Sequence, residues 1–152
     1  MTIRSRLWLL LPAVTLCAVD IGLTLAGQSS GYWSGRYELA HEANPFARPA
    51  LMRGPVTFAA FGFVYAAVVA AVVCGWRSAG VWVAALVTVA HAVGGAGWLV
   101  RFGPCGWGAA VAFLLAAAEG SARCWRRATR QVEHGGTPAL IPDAERFAGR
   151  NR

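Results

Sequence analysis

The stretch LWLLLPAVTLCAVDIGLTLA, residues 7–26, runs for 20 residues with a single carboxylate, Asp20. A helix needs about 20 residues to cross the hydrocarbon core of a bilayer, and about 17 suffice. Three further apolar runs follow at residues 55–75, 79–100 and 104–120, with lengths of 21, 22 and 17 residues. The last opens on Pro104, a favourable residue for a first helical turn, and Arg123 lies beyond its end. Ten-residue segments of alternating hydrophobicity, the mark of a membrane barrel strand, do not occur in the sequence. The expected fold is therefore all-α, an integral membrane four-helix bundle with a short outer-loop helix. Residues 1–122 form the four-span domain in this reading, and residues 123–152 a basic, loosely ordered cytoplasmic tail.

Composition leads to the same class. Of 152 residues, 57% are hydrophobic and only 14% charged, and the mean hydropathy is +0.47. A soluble domain carries about 25% charged residues, and one this short has too little interior to hide so much apolar surface. These numbers exclude a typical soluble enzyme and a disordered chain. All 14 basic residues are Arg, against 7 acids, for a net charge of +7. Cys17, Cys74, Cys105 and Cys124 stand singly, so neither a zinc ribbon nor a thioredoxin-type pair is present. They read as small buried hydrophobes.

Arg placement sets the expected topology. With the N-terminus inside, Arg4, Arg6, Arg77, Arg123, Arg126, Arg127 and Arg130 fall on the cytoplasmic side, and Arg36, Arg48, Arg53 and Arg101 outside. An excess of Arg near span ends marks the cytoplasmic face, so both termini are expected on the cytoplasmic side of a cell membrane, read as an inner membrane. The Arg-rich segment then meets anionic lipid and not nucleic acid. Arg4 and Arg6 before an apolar run, with Thr24-Leu25-Ala26 at its end, also imitate a cleaved secretory signal. The length of the run and Asp20 favour a retained span. Tryptophans cluster near the span borders, where a ring with one polar N–H is best accommodated.

Small residues mark expected packing faces. Gly108, Ala112, Ala116 and Gly120 recur every four residues on the fourth span. Ala13, Cys17, Asp20, Thr24 and Gly27 share a face of the first, Gly62, Ala66 and Ala70 one of the second, and Ala84, Thr88, His91 and Gly95 one of the third. Some of these stripes would serve a homo-oligomer or other membrane subunits.

The polar residues inside the spans nominate a site. A charge at the bilayer centre costs roughly 2.5–3.5 kcal/mol on insertion scales, so Asp20 is expected to be paired, protonated or metal-bound. At about 1.5 Å per residue, Asp20 and His91 reach nearly one depth, in the outer half. The outer loop adds a short helix expected over 36–43, ended by the pre-proline position, and the string Glu42-Ala43-Asn44-Pro45. The candidate catalytic residues are Asp20, Glu42, Asn44 and His91. Asp20, Glu42 and His91 are the candidate ligands of a divalent metal, since carboxylates and imidazole bind zinc, iron or manganese. The spacing is no known metal signature, and His41-Glu42 lacks the second His of H-E-x-x-H.

An Asp-x-x-x-Thr on a first membrane helix followed by Glu-x-Asn-Pro before the second resembles a family of small prokaryotic multi-pass membrane proteins with no assigned reaction. The matching residues are Asp20, Thr24, Glu42, Asn44 and Pro45, within residues 16–62. The resemblance implies a small polytopic membrane protein, and the stretch between Asp20 and Glu42 is longer here than in that pattern.

Three functions fit the sequence. One is a membrane-embedded, metal-dependent enzyme using the four candidates. A second is an ion- or proton-coupled transporter in which Asp20 and His91 relay protons. The third is a structural or assembly subunit, with Asp20 hydrogen-bonded to Thr24 or Tyr65, His91 a satisfied core histidine and Glu42 a capping acid. Glu119 and Arg123, four residues apart, read as a surface ion pair.

Overall fold

The computed structural model describes residues 2–135 except residue 77, with the backbone alone over 131–135. All regular elements among the described residues are helical: α1 (Ile3–Ala26), α2 (Ser30–Trp33), a 3-10 turn (Tyr37–Leu39), α3 (Arg48–Leu51), α4 (Pro55–Gly75), α5 (Ala79–Leu99), a second 3-10 turn (Val100–Phe102) and α6 (Pro104–Gly135). α1, α4, α5 with its 3-10 turn, and α6 are each long and apolar enough to cross a membrane. This is a four-helix bundle that fits a multi-pass membrane protein.

Local chemistry sets the helix starts. Thr2 caps α1 through a hydrogen bond from the Ser5 N–H to its hydroxyl. α4 and α6 both begin at a Gly-Pro step. Gly54 and Gly103 take φ of 110° and 73°, a region open to glycine, and the proline that follows supplies a preset helical φ where its missing N–H costs nothing. At the opposite end of α4, Arg6, buried on α1, donates to the Cys74 carbonyl, one of the last-turn acceptors that a helix leaves without internal partners.

α1 and α5 form the central pair. Each packs on the other and on both α4 and α6, which flank them. The small faces expected on the first and third spans do meet: Ala13 and Ala84 are fully buried, and Cys17, Thr24, Thr88 and Gly95 are buried with them. Leu9, Ala13, Val69, Val73, Ala84, Val87 and Ala128 make one core cluster, at the end of the bundle that carries the N-terminus. A second cluster, Tyr32, Ala40, Ala47, Leu51 and Phe58, closes the loop end. Outside, Val56, Phe63, Trp82, Leu86 and Leu115 are all more than 60% exposed. So large an apolar exterior is foreign to a monomeric soluble protein and suits lipid.

Two expectations change. The fourth-span stripe Gly108, Ala112, Ala116 and Gly120 faces away from the bundle. α6 instead packs through Ala110, Phe113, Ala117, Ser121 and Ala128. The small partner lies on α5, where a Cβ added to Gly95 would stand 3.1 Å from the Phe113 ring. A bulky residue set in a glycine notch orients α6, and the stripe on its other face packs on nothing among the described residues. In addition, α6 does not stop at Gly120 but runs through Gly135. Ala128 is fully buried against the core, Trp125 packs beside it, and Arg127 lies 4.7 Å over the Trp8 ring. Glu119 pairs with Arg123 at 2.8 Å and Arg126 at 3.3 Å on the exposed side. The tail over 136–152, like Arg77, lies outside the described residues.

The loop also differs from expectation. No helix spans 36–43; α2 lies earlier and only Tyr37–Leu39 turns as 3-10. Gln28, buried just past the end of α1, holds His41 in place by its backbone. Its amide donates to the His41 carbonyl at 2.9 Å and accepts from the His41 N–H at 2.8 Å. These contacts take the backbone groups that a helix would use. Tyr32, fully buried, anchors the other side by donating to the Leu51 carbonyl at 3.1 Å. Burial, and secondarily Tyr37, raises the pKa of its phenol.

Candidate functional site

Asp20 and His91 meet across the α1–α5 interface. The His91 Nδ1 lies 2.8 Å from Asp20 Oδ2, with each side chain a little under one-fifth exposed. Asp20 stands six residues short of the end of α1 and His91 eight short of the end of α5, about 9 and 12 Å along their helices. The matching depth read from the sequence thus becomes a direct contact in the loop-end half.

Neighbouring elements hold the pair. The Tyr65 ring of α4 stands edge-on to the imidazole, with ring centroids 5.6 Å apart. Cys17, one turn before Asp20 on α1 and only 3% exposed, neighbours both His91 and Tyr65. Gly94 provides the space for the carboxylate, since a Cβ there would come within 2.7 Å of Asp20 Oδ2. Sequence reasoning missed Gly94; its signal was the Gly94-Gly95 pair one turn beyond His91. Thr24, expected as a partner of Asp20, is buried, and the imidazole is the hydrogen-bond partner of the carboxylate.

Glu42 and Asn44 do not join the site. Glu42 Oε1 accepts from the Asn44 N–H at 2.7 Å, and Asn44 Oδ1 accepts from the Phe46 N–H at 2.9 Å. The Asn44 carbonyl then accepts from Ala47 and Arg48. The string is a chain-reversing turn that leads into α3, built from the local side-chain bonds that Asn favours. Its level is set by Gln28, which ties down His41 and lies eight residues, about 12 Å, beyond Asp20. Glu42 lines an open cleft of about 440 Å³ on the loop end, with Ser29, Glu38, His41 and Arg48.

This separation bears on the metal expectation. Among the described residues no three His, Cys, Asp or Glu side chains are grouped to hold an ion, whereas zinc sites use three or four protein ligands. Of the candidate ligands Asp20, Glu42 and His91, the structure brings Asp20 and His91 together, with Glu42 bonded within its own turn. What a hydrogen-bonded carboxylate and imidazole can do is share a proton. With one proton between them beyond the neutral ring's own, the pair is net neutral; without it, a carboxylate charge remains in the bundle. The cysteines are all free, Cys17 buried as expected and Cys105 exposed.

No protein-family model, curated protein or solved structure matches the chain.

Proposed function

We propose that this is a small multi-pass membrane protein whose Asp20–His91 pair takes up and releases a proton within the bundle, as the working part of a proton-coupled membrane module. The 2.8 Å contact between Nδ1 and the carboxylate, made across two helices at membrane depth, carries this reading. Ionisable residues inside spans commonly mark proton or ion pathways. Histidine is the side chain whose charge changes most readily near neutral pH. Proton exchange here would also bear on packing, because the same bond joins the two central helices.

Histidine-15N-labelled protein in lipid nanodiscs tests the proposal. The His91 ring signals, assigned by their absence in His91→Gln, are expected to pass reversibly between two protonation states from acid to alkaline buffer, and to change character in Asp20→Asn. Signals that stay in one state throughout would reduce the pair to a fixed clamp between α1 and α5. The Gly94 notch, shaped to the carboxylate, favours that second reading.

The orientation we propose has both termini cytoplasmic. Arg4, Arg6, Arg123, Arg126, Arg127 and Arg130 lie at the end of the bundle opposite the 28–54 loop, where all but the buried Arg6 would meet anionic headgroups. A reporter fused at the C-terminus should then read as cytoplasmic, and one inserted within residues 28–34 as exterior. An exterior C-terminus would reverse the assignment.

A further inference from the structure

An open groove of about 420 Å³ runs down the loop-end half of the bundle between α3 and the first turns of α4. Phe46 and Pro49, from the segment around α3, line it together with Ala60, Phe61 and Val64 of α4 and with Arg53, which precedes α4. Thr57, Ala60, Phe61 and Val64 recur at three- and four-residue spacing, so one face of α4 forms the floor. Phe46 is 81% and Val64 60% exposed, and no other helix among the described residues covers them.

Arg53 lies two residues before the start of α4, at the border of the apolar span. It takes part in no ion pair among the described residues. Val64 lies nine residues into α4 from Pro55, about 14 Å along the axis. The groove therefore extends from the border to about the middle of a 30 Å hydrocarbon core, the depth of one leaflet. A cation at the rim and apolar walls one leaflet deep match one molecule part by part: phosphate at the rim, acyl chain below.

We infer that this groove is a binding site for a bilayer phospholipid, one acyl chain lying along Ala60, Phe61 and Val64 and the headgroup phosphate on the Arg53 guanidinium. Arg is well suited to this contact because its planar fork donates two parallel hydrogen bonds to phosphate oxygens. A headgroup with net negative charge binds better than a zwitterionic one, in which the choline cation offsets the phosphate.

Native mass spectrometry of the full chain, released from detergent with added phosphatidylglycerol or phosphatidylcholine, tests the site. The wild type is expected to retain one phosphatidylglycerol in preference to phosphatidylcholine. Ala60→Trp, which fills the floor from an exposed position, should lose that lipid while melting at the wild-type temperature. Arg53→Gln should keep chain binding but lower the phosphatidylglycerol preference about fivefold, the effect of one Arg near a charged lipid surface. Arg48→Gln, on the separate polar cleft, should leave it unchanged. Equal lipid retention by wild type and Ala60→Trp overturns the site, as does a preference indifferent to Arg53. A change in oligomer mass without loss of lipid in Ala60→Trp would assign the groove to a second copy of the chain and equally overturn it.

Discussion

His91→Ala is expected to destabilise the bundle by about 3 kcal/mol, measured as reversible unfolding in mixed micelles. The reason is not the lost contact alone. Removing one partner of a buried pair leaves the other without compensation, which typically costs about 3–5 kcal/mol. Since each side chain is a little under one-fifth exposed, the lower end applies. Asp20→Asn keeps the shape and one acceptor oxygen, and should cost less. The two changes should be non-additive by about 0.5–3 kcal/mol, the usual range for residues in one network. Strictly additive effects would mean that the contact between α1 and α5 carries no coupling. Replacing both residues with Leu should be much milder than His91→Ala alone, because apolar substitutes for a buried pair are often neutral or stabilising. That variant would fold and lack the titrating ring, which separates stability from proton exchange.

The second large effect belongs to Gly106→Ala. A Cβ at Gly106 would lie 2.1 Å from the Leu99 carbonyl oxygen and 3.2 Å from its carbon. These are backbone atoms at the turn from α5 into α6, so no side-chain rotation relieves the clash. The turn must open, at a cost of about 1–3 kcal/mol or more. Gly108→Ala, two residues later, is the contrast. Nothing among the described residues lies within 4 Å of its added methyl, and Ala is favoured over Gly inside a helix by about 1 kcal/mol. It should therefore be neutral or stabilising. The same unfolding measurement on both variants reads the difference. Destabilisation by Gly108→Ala as large as that by Gly106→Ala would mean that the exposed stripe packs on something after all.

The two glycines also show where sequence reading stops. Gly108 belongs to a regular small-residue stripe and Gly106 does not, yet it is Gly106 that touches a neighbour. A four-residue repeat of Gly and Ala says that a helix can be approached closely on that face, not that it is. The rotation of α6 follows from Phe113 entering the notch at Gly95 and from Ala128 reaching the core. Those contacts join residues on different helices, and no single helix encodes them.

The loop had the same character. Glu42 and Asn44 are polar and near a span in sequence, so they were natural companions for Asp20. Their position depends on Gln28, whose amide holds His41 at the end of α1. Gln28 is an unremarkable residue in the sequence, and its role appears only when the 28–54 segment is folded back on the helix end.

Four spans, their approximate limits, and the choice of Asp20 and His91 as the residues of interest were determined by the sequence alone. Each is a local matter: burying a run of apolar side chains, or a charge, in hydrocarbon has an energy set by composition and length. The depth match between Asp20 and His91 was likewise legible, because the helical rise is constant. The tertiary structure decided that these two touch at 2.8 Å while Glu42 stays apart, which face of α6 meets the bundle, and that Gly94 leaves room for the carboxylate. Those outcomes depend on the rotation of each helix about its own axis and on side-chain volume in three dimensions. Hydropathy, averaged along the chain, carries almost none of that information in a protein whose outside is as apolar as its core.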